Sequence, residues 1–131
     1  MIEKRCLNCD IIIPNRNKFC SIKCQKEYEM AEYITRWQAG LEDGLRGKYQ
    51  LSSHIRTYLF KKFNYKCSKC GWGETNSFTG LIPLEIEHID GNFLNNKEEN
   101  LTVLCPNCHS LTATYKGANL NHGRKERRKY K

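Results

Sequence analysis

In the run LEIEHIDGN, residues 84–92, Leu84 and Ile86 alternate with Glu85 and Glu87, the two-residue period of a half-buried strand. His88 stands where the alternation stops, and Asp90-Gly91-Asn92 supply the residues of a turn. A strand is therefore expected over LIPLEIEHI, a polar loop over DGNFLNNKEEN and a second, short strand over LTVLC. PNCHSLTATYKG comes next, with Pro106 suited to a first helical position and Gly117 to a C-terminal cap. The local order is strand, strand, helix.

Upstream the period changes. From about Ser21 to Gln38 the pattern is helical, with Tyr33 and Trp37 four apart, Met30, Ile34 and Trp37 along a neighbouring stripe, and Gly40 as the stop. AGLEDGLRGKYQ packs three glycines into eight residues, which disfavours a regular helix and predicts a linker or irregular crossing. A second helix is expected from Ser52 or Ser53 through HIRTYLFKKF. Ile55, Tyr58, Leu59 and Phe63 line one face of it, while Arg56, Lys61 and Lys62 make a wet or phosphate-facing side.

At 131 residues the chain has room for one ordinary domain or two small ones, and small pieces need staples. Eight cysteines fall into four close pairs: Cys6/Cys9, Cys20/Cys24, Cys67/Cys70 and Cys105/Cys108. That spacing suits two four-thiolate zinc sites, and Gly71 after the third pair permits the turn that brings amides to the sulfurs. A secreted disulfide framework would want a signal peptide, and MIEKRCLNCDIIIPNRNKFC does not read as one. A reducing cytoplasm is therefore expected. Residues 1 to about 27 have almost no core, so metal must supply their folding energy.

The net charge of +8 attracts polyanions, and much of it is local. The tail GRKERRKYK carries Arg124, Lys125, Arg127, Arg128, Lys129 and Lys131 against Glu126, either a solvated end or an arm lying along phosphates.

A closed four-thiolate site has no open position for water, so neither quartet is a plausible catalytic centre. What the second quartet holds matters more, because it clamps the entry to the first strand against the start of the last helix and brings Glu87 and His88 near His109. A carboxylate and imidazoles there could bind one divalent cation and leave room for water and phosphate. Such a centre can hydrolyse a phosphodiester, the cation neutralising phosphate charge while a neutral histidine takes a proton from water. Strict alternation nevertheless puts Glu87 and His88 on opposite faces of the strand.

Residues 67–117, with EHIDGN, NNKEENLTVLCPNCHSLT and YKG, resemble the HNH endonucleases of the ββα-metal class, particularly small bacteriophage ones. The likeness extends more weakly to SSHIRTYLF and to CLNC...FCSIKC. It implies a small α+β fold in four stretches: an N-terminal zinc unit and following helix (1–39), a linker (40–51), an HNH nuclease domain (52–121) and a basic tail (122–131). It implies that His88 is the general base, that Asn100 braces the loop between the strands, and that Glu87 and His109 ligate a catalytic Mg²⁺ or Mn²⁺. Glu87 stands where the family usually has Asp or His, and Glu85 is its possible substitute. Cys67, Cys70, Cys105 and Cys108 would hold one structural zinc, and Cys6, Cys9, Cys20 and Cys24 another. Tyr115, Lys116 and Asn119 are candidates to touch DNA. The implied substrate is double-stranded DNA, cleaved to a 5′-phosphate and a 3′-hydroxyl, with one nick per monomer. The alternatives are a non-catalytic zinc-ribbon DNA-binding or adaptor protein, and an HNH accessory subunit working with phage packaging proteins.

Overall fold

The computed structural model describes residues 2–113, so Tyr115, Lys116, Asn119 and the basic tail lie outside the described residues. The chain is a small α+β protein. In order it forms α1 (Ile22–Gln38), the two-residue strands β1 (Leu45–Arg46) and β2 (Gln50–Leu51), α2 (Ser53–Lys62), β3 (Glu85–His88), a 3₁₀ turn (Glu98–Asn100), β4 (Leu101–Leu104) and α3 (Pro106–Ser110). Among the described residues no helix is long and apolar enough to cross a membrane.

Helix α1 starts where Ser21 takes the extended N-cap position and its hydroxyl accepts from the Cys24 amide at 3.1 Å. It ends at Ala39, with Gly40 at φ +81 beyond it. Ile34 and Trp37 reach from α1 into the main core, where Ile55 and Leu59 of α2 and Val103 of β4 are the largest fully buried side chains. Burying each of these three stabilises the fold by about 1.5–3 kcal/mol relative to exposure. Leu84, Leu101 and Leu104 complete that core together with Cys67, Cys105 and Cys108.

Strands β3 and β4 are antiparallel with Ile86 opposite Val103, Glu87 opposite Thr102 and His88 opposite Leu101. Paired residues share a face. One face of the hairpin thus carries Ile86, His88, Leu101 and Val103, and the other carries Glu85 and Glu87, against which His109 of α3 lies. The regular part of LIPLEIEHI is only four residues long, because Leu84 bonds back to the Ile82 carbonyl and pairs with no strand residue.

Two elements differ from the reading of the sequence. The glycine-rich segment before α2 is no irregular crossing: Leu45 pairs with Leu51 and Arg46 with Gln50 in a tight antiparallel hairpin. Helix α3 stops at Ser110 instead of continuing toward Gly117. At its end Ser110 Oγ bonds the Asn107 carbonyl at 2.6 Å and Thr112 Oγ1 the His109 carbonyl at 2.9 Å, so side-chain hydroxyls take up carbonyls of the last turn.

Candidate active site

The site rests on a sulfur clamp. All eight cysteines are free thiols, and within each quartet the sulfurs lie within 4.8 Å of one another. Measured separations are 3.6 Å for Cys9–Cys20, 3.4 Å for Cys20–Cys24 and 3.7 Å for Cys70–Cys105. A tetrahedral ion with metal–sulfur bonds of ~2.3 Å requires edges of roughly 3.8 Å, so each quartet fits one zinc-sized ion. Burial raises the Cys67 thiol, but the amides of Cys105, Cys70 and Lys69 outweigh it and bring the group down to about 6. Burial and the neighbouring sulfurs push Cys108 up to about 12. Cys6 at about 6 and Cys20 at about 12 repeat the split. Four thiolates cannot coexist at this spacing without a cation to neutralise them.

Gly71, at φ +79, makes the first knuckle of the second quartet, with its amide on the Cys67 carbonyl and the Cys67 amide on that of Trp72. Ser68 then fastens the knuckle to β4 through its amide to the Val103 carbonyl, 2.8 Å, and its hydroxyl to that of Thr102, 2.6 Å. Cys105 caps α3, and its sulfur accepts from the Cys108 amide at 3.4 Å. His109 is therefore fixed one residue beyond a clamped position.

Its ring lies between two carboxylates. Glu87 Oε2 is 2.7 Å from Nδ1 and Glu85 Oε2 is 3.2 Å from Nε2. Glu87 is only 7% exposed, and a carboxylate so buried needs a cationic partner. A carboxylate oxygen and an imidazole nitrogen at this separation are two donors that a divalent cation can share. Glu85 is then placed to accept the remaining ring N–H, the usual support for a metal-binding imidazole. The donor set therefore fits a hard or borderline ion, with Glu85 beside Glu87 as alternation requires.

His88 keeps different company on the other face. Its Nε2 is 2.6 Å from Asn96 Oδ1. The Asn96 amide group donates to the Asp43 carbonyl at 3.2 Å, which can only accept, so the oxygen end must face the histidine. Nε2 then carries the proton and Nδ1 the lone pair. Asn96 is held from both sides, because its own carbonyl accepts from the Trp37 indole at 2.6 Å and its Cβ lies 2.8 Å from where a Cβ on Gly44 would stand. Only glycine fits at position 44, which also sits at φ +77.

Asn100 bonds as a brace. Its Nδ2 donates to Asp90 Oδ1 at 2.9 Å and the Asn95 carbonyl at 2.8 Å, while its Oδ1 accepts from the Asp90 amide at 3.0 Å. Asp90 in turn accepts from the Asn92 amide and from Asn95 Nδ2, making the turn expected after the strand. Burial raises the Asp90 carboxyl, but these bonds and the nearby His88 hold it below the usual carboxylate value. The structure thus joins Glu87 to His109 and ties Asn100 to the loop, but gives His88 a separate partner. Asn96 escaped the sequence reading: within DGNFLNNKEEN nothing separates it from Asn95, and only the contacts with Trp37, Asp43 and Gly44 single it out.

Over 72 residues the sequence is 49% identical to the H-N-H endonuclease F-TflIV of Escherichia phage T5, an alignment covering 55% of this chain. This chain is a relative of HNH endonucleases. The family resemblance is thereby supported by a named HNH protein, although the chain spans only 30% of that relative's length. No family model matches the sequence, and no solved structure matches it. The HNH relationship agrees with the strand–strand–helix order and with two four-cysteine clusters.

Proposed function

We propose that this chain is a metal-dependent DNA endonuclease that hydrolyses one phosphodiester per active site. The observation that carries the reading is the pairing of buried Glu87 with His109 at 2.7 Å, next to a strand end whose last residue is His88. A divalent cation held by Glu87 and His109, Mg²⁺ or Mn²⁺, would supply charge neutralisation at the scissile phosphate. His88 Nδ1 takes a proton from water, whose oxygen bonds phosphorus as the bond from phosphorus to the 3′-oxygen breaks. A solvent water protonates the departing 3′-oxygen to the 3′-hydroxyl, His88 returns its proton to solvent, and the 5′-phosphate stays on the other fragment. Asn96 holds His88 Nε2–H and so keeps the lone pair on the nitrogen that needs it. Asn100 fixes the loop behind the base. Since Glu87 and His88 occupy opposite faces, the phosphate must lie across the end of β3, where the two faces meet.

Two zinc ions, one per quartet, are structural in this reading. A single copy of the site implies nicking by a monomer, and a double-strand break requires two molecules. Double-stranded DNA would be held mainly through phosphates, with the N-terminal unit and the basic tail adding grip. Service inside a phage packaging machine is compatible with the same chemistry, in the cytoplasm of a bacterial host.

Plasmid relaxation in Mg²⁺, Mn²⁺ or chelator tests the reading. Wild type should nick in at least one of the two ions and His88→Ala should not. Binding without nicking in either ion would leave the zinc-ribbon adaptor as the better account. Equal nicking by His88→Ala would remove His88 from the mechanism.

A further inference from the structure

The hairpin formed by β1 and β2 has no part in the chemistry above, yet it is built into the same corner. Its base is closed by the Ser52 amide on the Gly44 carbonyl at 2.8 Å, and Gly44 is pressed against Asn96, the partner of His88. Its tip is tied to the active-site loop, where Tyr49 meets Phe93 with ring centroids 5.8 Å apart. Arg46 and Lys48 are exposed, with the Lys48 ammonium 5.4 Å from the Tyr49 ring centre, and residues 46–50 line an open concavity of about 470 Å³.

Charge along this part of the chain is one-sided. Residues 44–73 contain seven Lys and Arg and no Asp or Glu, in a protein with 14 acidic residues overall. The candidate metal face has the opposite character, since Glu85 and Glu87 stand there. A polyanion approaching that face needs cations close by to offset the repulsion, and the hairpin offers two on a support anchored through Gly44 and Tyr49 to Asn96 and the loop of Phe93.

We propose that the β1–β2 hairpin is a phosphate-binding finger, with Arg46 and Lys48 gripping the DNA backbone a few nucleotides from the bond to be cut. The inference rests on the nuclease reading for the identity of the polyanion. Reach agrees with it: Lys48 is four residues past Gly44, at most ~14 Å of chain. That is about four nucleotides at ~3.4 Å of helix axis each. The Tyr49–Phe93 contact gives the finger a fixed direction relative to the loop, so its cations cost less ordering on binding than those on a free arm.

The test measures binding apart from cleavage. In a His88→Ala background, affinity for a 20-base-pair duplex is followed by fluorescence anisotropy across a KCl series. Adding Arg46→Ala and Lys48→Ala should weaken binding at least tenfold at the lowest salt. It should also make the slope of log affinity against log salt shallower by roughly 1.8, two phosphate contacts' worth. Lys66→Ala with Lys69→Ala removes equal charge beside the Cys67 knuckle and should change the slope by less than half as much. An unchanged slope in the hairpin variant, or equal changes in both pairs, overturns the finger. Metal content and melting of each variant establish that both are folded. Failure of the wild-type protein to nick plasmid would remove the nuclease reading and leave the salt slopes to decide the finger separately.

Discussion

The two cysteine quartets have the same donors and nearly the same sulfur spacing, yet they sit in different mechanical settings. Around Cys6, Cys9, Cys20 and Cys24 the buried set is Cys6, Ile13 and Cys24, with Phe19 packed against them. Cys67, Cys105 and Cys108 instead belong to the main core with Ile55, Leu59 and Val103. In the first unit a metal would replace a core. In the second it would sharpen one, fixing the start of α3 and hence His109 against Glu87. Identical ligand chemistry can therefore serve stability in one place and positioning in another, according to what the chain packs around it.

The largest expected effects come from removing one ligand at a time. Structural zinc contributes on the order of 10 kcal/mol in small thiolate sites. Cys105→Ser should abolish nicking, lower zinc from two ions to one and destroy the main melting transition. Cys9→Ser should lose the same single zinc and only the N-terminal folding, while nicking persists within about tenfold. If Cys9→Ser silenced the enzyme as fully as Cys105→Ser, the two settings would not be distinct.

Next are the side chains that only the second setting holds. His88→Ala should slow single-turnover nicking by about 10²–10⁴, with zinc content and melting unchanged. Glu87→Gln should weaken Mg²⁺ or Mn²⁺ activation more than Glu85→Gln, whose effect should be nearer the ~10-fold of a supporting group. The reverse order would make Glu85 the ligand and Glu87 the support.

Much of this contrast was legible in the chain. Thiol spacing alone gave both quartets, because a tetrahedral ion demands close pairs and loop closure tolerates any distance between pairs. Both long helices followed from apolar period, the second also from a serine at its start, and β3 from the alternation of Leu84, Ile86 and their acidic neighbours. The features that escaped depend on residues distant in sequence. Asn96 earns its place from Trp37 and Asp43, 59 and 53 positions away. The β1–β2 hairpin was hidden because glycines that disfavour a helix also allow a tight turn. Helix α3 is shorter than expected because no residue between Ser110 and Gly117 is a recognisable stop in the sequence.

Asn96 is where the two regions meet, since α1 begins at the first quartet and ends by placing Trp37 on the Asn96 carbonyl. Asn96→Ala should lower the nicking rate constant about 10–100-fold with little change in KM. In ¹⁵N spectra, the His88 ring should lose its single-tautomer signature. Trp37→Phe keeps the ring and removes only the N–H, so a loss of about 1–3 kcal/mol in stability and a smaller loss of rate are expected. A rate effect of Trp37→Phe exceeding that of Asn96→Ala would mean that α1 acts on the site by another route.

The smallest effect belongs to Glu98, which fastens α1 and α2 to the 3₁₀ turn before β4. Its carboxylate accepts from Tyr58 at 2.7 Å, Lys62 at 2.8 Å and Gln38 at 3.0 Å. Burial raises this carboxyl, but those three partners and the Lys62 charge outweigh burial and hold it below the ordinary glutamate value. A depressed folded-state pKa contributes stability that is present above the unfolded value, ~4.3, and is lost as pH falls through the folded one. The Lys62 side chain is 41% exposed and that of Glu98 25%, so solvent screening keeps the ion pair's share to about 0.5 kcal/mol. Glu98→Gln should therefore lower the melting temperature by a few degrees at pH 7. The gap from wild type should close as pH drops below about 4, because wild type then loses the same charge. A gap that stayed constant with pH would show that Glu98 acts through shape alone, and that the joint between the two regions is steric and not electrostatic.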